Sequence, residues 1–315
     1  MSTSEHGADR RTFIGGSDVA AIIGLSPWAS PYSVWAEKVG LVTPEHSDSH
    51  QERLDIGKDA ERFLADVFNR HHVASPSLYV EMGQVDLPTV DLWPWLRGHA
   101  DGTVEDSDGF TLGGWEAKTS REFTPWDEVP AYYQCQAQTY MMLSGLSRWW
   151  FTVGFAGWQV RHYIVEADTE DQALIAERTE AFWKLVETQT PPDTDGSEAT
   201  TAALTAAYGR IPDADDTLYA DSDLERLVSE LRFWRGESKL AEARVSEIEN
   251  NVKARMQDRA VLVDAAGSPL VTWKPSVSRR VDLDLLRADH PEVAAACTTE
   301  SVTRRFLVKT VKGND

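Results

Sequence analysis

Two carboxylates and one lysine carry the clearest chemical signal in this chain. Gly98-His99-Ala100-Asp101-Gly102 is followed, after a short interval, by Glu116-Ala117-Lys118. Residues two apart on a strand project to the same side, so Glu116 and Lys118 share a face. The turn Asp106-Ser107-Asp108-Gly109 folds the chain back and brings Asp101 alongside them. Such a trio suits hydrolysis of a phosphodiester. The carboxylates of Asp101 and Glu116 hold Mg²⁺ (or Mn²⁺) through oxygen, and the backbone carbonyl of Ala117 offers a further oxygen ligand. The cation polarises the phosphate and lowers the pKa of a bound water. The ammonium of Lys118 orients that water and offsets developing negative charge. Neither fragment is diagnostic alone, because alternating charge is common on exposed strands and Asp-Gly is common in turns. The order of the surrounding elements has to supply the specificity.

Those elements are legible as periodicities. Glu52 to Asn69 reads as an amphipathic helix, with Ala60, Phe63, Leu64, Val67 and Phe68 on one apolar face and Glu61 close to it. An acid placed there is partly desolvated. Strands are expected at Tyr79 to Met82, Leu96 to Glu105 and Phe110 to Thr119. Pro130 opens a helix that carries Tyr132, Tyr133, Gln136, Ala137, Tyr140 and Met141. Two more strands, Trp149 to Phe155 and Trp158 to Val165, precede a helix from about Glu170 to Thr188. Near the N-terminus, Ser17 or Asp18 can cap a short helix through Val19 to Ile23. The fold class expected is α/β, a mixed central sheet flanked by helices.

Taken together, these motifs resemble the YqaJ-like viral recombinases, relatives of the phage lambda-type alkaline exonucleases in the PD-(D/E)XK nuclease superfamily. The matching segments are Ile14 to Ile22, Leu25-Ser26-Pro27-Trp28, Gly57-Lys58 with Glu61, His99 to Gly102, Trp115 to Thr119 and Tyr132 to Gln138. The resemblance covers about residues 10–190. It implies a PD-(D/E)XK nuclease core in which Asp101 and Glu116 bind metal and Lys118 is the catalytic lysine. Glu61 would bind or support a second metal, and Gln136 would position the scissile phosphate or water, with Gln138 as its rival. Arg10 and Ser17 look like the pair that grips a 5′-terminal phosphate, with Arg11 as the rival of Arg10. It further implies 5′ to 3′ digestion of one strand of linear double-stranded DNA, leaving a 3′ single strand. The implied partners are a single-strand annealing protein of the RecT or Beta type and copies of the same chain in a ring-like homo-oligomer. Where relatives often carry Pro, this chain has Ala100.

Composition limits the alternatives. With 315 residues the chain accommodates a nuclease domain at 1–190, a linker at 191–222 rich in Thr, Pro, Asp, Gly and Ala, and a C-terminal module at 223–315. In that module a long helix, about Asp223 to Gln257, carries a coiled-coil-like seam, followed by a small β element and a basic strand, Arg304 to Lys309. The seam suits packing on the core or on a second copy, and the basic strand is a candidate extra DNA contact. Two cysteines, Cys135 and Cys297, exclude a disulfide framework, a four-cysteine zinc site and a cysteine-ligated iron–sulfur nuclease. No apolar run approaches the roughly 20 residues that span a bilayer. The N-terminus lacks a signal-peptide pattern, so the expected compartment is the cytoplasm of a bacterial host. A net charge of −20 argues against tight non-specific DNA binding and motivates one rival class, an acidic DNA mimic without catalysis. A second rival, an endonuclease or structure-specific nuclease, shares the same core.

Overall fold

The computed structural model describes residues 10–43, 48–72, 78–157, 159–209, 217–300 and 304–309. The chain divides into two compact units, Met1–Gly209 and Arg210–Asp315.

The first unit opens with a 3₁₀ turn at Arg10–Thr12, then β1 (Ile14–Gly15), α1 (Gly16–Ile22), α2 (Pro31–Lys38) and α3 (Asp48–His72). Next come β2 (Tyr79–Asp86), β3 (Leu96–Arg97), β4 (His99–Glu105) and β5 (Thr111–Ser120). The unit closes with α4 (Ala131–Ser144), β6 (Arg148–Phe155), β7 (Gln159–Glu166), α5 (Thr169–Glu187) and α6 (Glu198–Tyr208). The main sheet has the order β2-β4-β5-β6-β7. All its pairings are antiparallel except β5–β6, which is parallel. A parallel pair needs a crossover, and α4 provides it. The architecture is the expected α/β one: a mixed sheet with helices on both faces.

Side-chain alternation builds the two cores. On one face Leu64, Ala65 and Phe68 of α3 pack with Val80, Val104, Trp115 and Trp150. On the other, Trp149 and Phe151 pack with Ile14, Val19, Ala137, Tyr140, Met141 and Phe182. Successive tryptophans 149 and 150 thus face opposite ways, as the strand period requires. Cys135 is buried in this second core, as a small apolar side chain.

Four expectations about the first unit and the segment after it are corrected. The apolar face of α3 is rotated: Phe63 is half exposed while Ala65 is buried, so Glu61 stands at i−3 and i−4 to Leu64 and Ala65. The strand expected from Leu96 to Glu105 breaks at Gly98. Its first part, β3, pairs in parallel with β1 instead of joining the main sheet. The linker expected at 191–222 contains α6, which Ser197 caps and whose buried Thr200 donates to Ser30 Oγ at 2.7 Å. Ser30 is itself the N-cap of α2, so α6 is tied to the first unit and is no free tether. Finally, neither Ser17 nor Asp18 is the N-cap of α1. That position is Gly15, and Asp18 accepts its N–H at 2.9 Å from the third helical position.

In the second unit, α7 (Ser222–Met256) is capped by Asp221 and leaves Leu227, Trp234, Val245 and Ile248 of its seam exposed. A hairpin of β8 (Val261–Val263) and β9 (Pro269–Thr272) and two short helices, α8 (Leu283–Asp289) and α9 (Pro291–Ala296), follow. Residues 304–309 form no strand. They are held by side chains instead: Arg232 donates to the Lys309 carbonyl at 3.1 Å, and Arg235 lies over the Phe306 ring.

Candidate active site

A fork in the main sheet places the three signal residues. β4 pairs with β5 only from Glu105–Thr111 to Gly102–Trp115. Beyond that, β4 continues on β2 as far as His99–Asp86, while β5 continues on β6 as far as Ser120–Phe155. Backbone groups at the fork lose their ladder partners and must find others. The N–H of Ala117 donates to Asp101 Oδ2 at 3.0 Å, which pins Asp101 to the mouth of the fork. The turn that makes this register is tight: the Asp106 carbonyl accepts the N–H of Gly109, and Gly109 adopts a positive φ of 81°.

Glu116 is buried beneath this mouth. Its Oε1 accepts from Lys118 Nζ at 2.7 Å and from Gln136 Nε2 at 3.0 Å. Its Oε2 is buried with no hydrogen-bond partner. Burial pushes the Glu116 carboxyl up to about 7, with Lys118 pulling it down and Asp101 adding to the rise. Burial opposes the charge on Lys118, but Glu116 and Asp101 outweigh it and hold the ammonium above its ordinary range. The ammonium also sits 5.1 Å from the centre of the Tyr133 ring, a cation–π distance. Glu61 reaches the same group from α3. Burial and then Asp101 raise its carboxyl, while Lys58 and Lys118 oppose the rise.

Gln136 and Gln138 differ by two helical positions, about 200° around α4, and the structure separates them. Gln136 faces Glu116 and also donates to the Tyr140 hydroxyl at 2.9 Å. Gln138 faces away: it donates to the Glu166 carbonyl and accepts from the Asp168 N–H, fastening the β7–α5 turn. Sequence reasoning missed Tyr133 and Tyr140 as site residues. They share a helical face with Gln136, at i−3 and i+4, and that spacing was the available signal. Tyr140 is gripped by two glycines. A Cβ at Gly98 would come within 2.6 Å of its ring, and one at Gly16 closer still.

Gly16 leads to a second cluster. A Cβ at Gly15 would lie 3.6 Å from Asp18 Oδ2, 3.8 Å from Arg10 Nη2 and 3.9 Å from Ser17 Oγ. Buried Lys38 donates to Asp18 Oδ2 at 2.7 Å and to the Arg10 carbonyl at 2.8 Å, so it neutralises Asp18 from below. Arg10 stays largely exposed, 3.5 Å from Asp18. Arg11 points elsewhere, toward Gly40 at the end of α2. Arg10 and Ser17 therefore both border Gly15, and Gly16 beside it meets the ring of Tyr140, whose hydroxyl accepts from Gln136. His99 is exposed, opposite Asp86 on the β2 side.

Among the described residues, no three side chains of His, Cys, Asp and Glu converge closely enough to hold an ion unaided. Mg²⁺ does not require that: it is commonly held by one or two carboxylates, with water and substrate phosphate completing its shell. Asp101 and Glu116 fit this pattern, and the unpartnered Oε2 of Glu116 is a buried acceptor that a cation would satisfy. A cavity of about 380 Å³ lined by Asp127, Glu128, Gln138, Glu166, Asp168 and Asp171 lies on the opposite face of α4. Its carboxylates repel phosphate, so it is no DNA site. No helix of the described residues is long and apolar enough to cross a membrane.

Residues 5–147 match the family model of the YqaJ-like viral recombinase domain. The chain is 27% identical over 325 aligned residues to the uncharacterized protein YqaJ of Bacillus subtilis (strain 168), covering 99% of this chain and 95% of that one. Solved structures similar to it include an alkaline exonuclease from Laribacter hongkongensis, at 20% identity and a TM-score of 0.43, covering 60% of this chain and 94% of that one. A phage-related exonuclease from Haemophilus somnus 129PT is similar at 12% identity and a TM-score of 0.41, covering 56% of this chain and 94% of that one.

Proposed function

We propose, starting from the YqaJ-like viral recombinase domain at residues 5–147, that this chain is a divalent-metal-dependent DNA exonuclease. One observation carries the reading. Glu116 is buried with Oε2 unpartnered, beside Asp101 and hydrogen-bonded to Lys118, at the one place where the sheet opens. Leaving such a carboxylate oxygen unmet costs stability, which a purely structural role would not explain.

In this reading Asp101 and Glu116, with the Ala117 carbonyl, hold Mg²⁺ or Mn²⁺, and Glu61 supports the ion or a second one. A bound cation supplies Lewis-acid polarisation of the phosphate and a water of lowered pKa. Lys118 orients the attacking water and compensates charge on the phosphate oxygens. Gln136 locks the Glu116 carboxylate and, through it, positions the scissile phosphate or the attacking water. Arg10 and Ser17 grip a terminal 5′-phosphate: a guanidinium forks onto phosphate oxygens, and the nearby hydroxyl adds a donor.

The finer function follows from the family resemblance. The enzyme digests linear double-stranded DNA from 5′-phosphorylated ends and leaves 3′ single strands for an annealing protein of the RecT or Beta type. A ring-like homo-oligomer encircling DNA explains how a chain with net charge −20 retains its substrate.

The test is digestion of linear duplex labelled at either end, in Mg²⁺ or EDTA, by the wild type and Lys118→Ala. Metal-dependent release from the 5′-phosphorylated strand, absent in the variant and on closed circles, is the expected result. Cleavage of closed circles would move the function to an endonuclease. No cleavage with any divalent metal would return the acidic DNA mimic to the front.

A further inference from the structure

Trp28 is the one tryptophan of the first unit that is exposed among the described residues, at 67%. Large aromatic side chains are normally drawn into the core, and an exposed one held in place asks for an occupant. This one is held. Pro27 fixes the preceding backbone, and Ser26 Oγ accepts the N–H groups of both Trp28 and Ala29 at 3.2 Å. The N–H groups of Leu25 and Ser26 both return to the Ala20 carbonyl, so the loop is anchored on α1. The indole stands edge-on to Tyr132, with ring centres 4.9 Å apart.

From there an aromatic series leads inward. Tyr132 meets Tyr133 at 4.6 Å, and Tyr133 carries the Lys118 ammonium 5.1 Å from its ring centre. The series runs without a gap from solvent to the lysine at the sheet fork. Its chemistry selects the occupant. Ring faces carry partial negative charge and repel phosphate, so this track does not hold the DNA backbone. It suits flat π systems attached to a backbone that passes Lys118, which nucleobases are. Bases inside a duplex already have both faces stacked, so the base that lies on Trp28 comes from the DNA end, where an unpaired base offers both its faces. A protein partner is disfavoured by size, since a stable protein interface buries over about 1,000 Å² and this platform is essentially one indole.

We infer that Trp28, backed by Tyr132, is a stacking platform for an unpaired base flanking the phosphate held at Lys118. It is a positioning residue that holds that base, and with it the strand, beside the fork. The inference rests on the nuclease reading above for its substrate, and the experiment separates the two.

The full-length wild type, Trp28→Ala and Trp28→Phe are titrated, with Ca²⁺ in place of Mg²⁺, against two fluorescent DNAs. One is a linear duplex with a short unpaired 5′-phosphorylated tail; the other is the same duplex with abasic tail nucleotides. One base–aromatic stack is worth about five- to a hundredfold in affinity. The wild type should prefer the base-bearing tail by such a factor, Trp28→Phe should keep most of the preference, and Trp28→Ala should lose it. Trp28→Ala should melt within a degree or two of the wild type, because the side chain is exposed. A preference unchanged in Trp28→Ala, or an equal loss on both DNAs, overturns the platform. Parallel incubation of the wild type in Mg²⁺ reads the nuclease separately. Preference without cleavage overturns the nuclease and supports the platform, cleavage without preference or without binding in Ca²⁺ overturns the platform alone, and neither binding nor cleavage overturns both.

Discussion

Replacing Glu116 by glutamine should abolish metal-dependent cleavage and, in EDTA, make the protein more stable at alkaline pH. Burial lifts the carboxyl to about 7 from its ordinary 4.5. One pKa unit corresponds to about 1.4 kcal/mol, so holding the ionised form in the folded state costs about 3 kcal/mol. The sign follows from which state binds the proton more tightly. Below pH 4.5 both states are protonated and nothing is lost. Between 4.5 and about 7 the unfolded chain releases the proton first, and stability falls as pH rises. Above about 7 the whole penalty is present. In Glu116→Gln the carboxamide would accept from Lys118 and Gln136 through its carbonyl and place its NH₂ group where Oε2 now lies unpartnered. The unmet N–H donors cancel about 1–3 kcal/mol of the gain. The net stabilisation at alkaline pH is therefore on the order of 1 kcal/mol, and its pH dependence is the diagnostic part. Urea unfolding of wild type and Glu116→Gln in EDTA, from about pH 4 to about pH 9, measures it. The variant's advantage should grow through the window from 4.5 to about 7 and then level off. Parallel curves over that range would refute the claim that burial governs this carboxyl.

The shorter predictions concern neighbouring parts of the site and fold. Gln136→Ala should lower cleavage by about a hundredfold or more while the fold persists. Gln138→Ala should leave chemistry intact but cost about 1–3 kcal/mol, since it removes the bonds to Glu166 and Asp168 that fasten the β7–α5 turn and a third from Gln172; steady-state kinetics beside thermal melts tell them apart. Gly98→Ala should destabilise by about 1–3 kcal/mol, because a Cβ would drive into the Tyr140 ring, and an unchanged melting temperature would contradict that clamp. Arg10→Ala should erase the preference for 5′-phosphorylated over 5′-hydroxyl ends, whereas Arg11→Ala, on the Gly40 side, should keep it. Thr200→Val removes the bond to Ser30 and should loosen α6 by about 1 kcal/mol, seen as faster hydrogen exchange across residues 198–208.

The sequence by itself determined what is local. Period-two and period-3.6 patterns located β5, β6, β7, α4 and α5 to within a few residues, because each pattern is set by one element's own geometry. The i, i+2 spacing put Glu116 and Lys118 on one side of one strand. The tertiary structure decided whatever depends on which elements meet. The rotation of α3 that buries Ala65 and exposes Phe63 depends on the sheet it packs against, and it is what turns Glu61 inward. Gln136 and Gln138 are equally good candidates by type. Only the placement of β5 on one side of α4 and of the β7–α5 turn on the other separates them. Likewise, nothing local in Arg10-Arg11 tells which guanidinium lies beside Gly15, where Ser17 also is, and which lies beside Gly40. The small, polar run around α6 reads as linker because its burial depends on distant partners: Thr200 donates to Ser30, 170 positions away, and Ala203 packs into the core. The fork that pins Asp101 is a property of three strands at once, β4 leaving β5 while each keeps its other neighbour, and no single segment encodes that divergence.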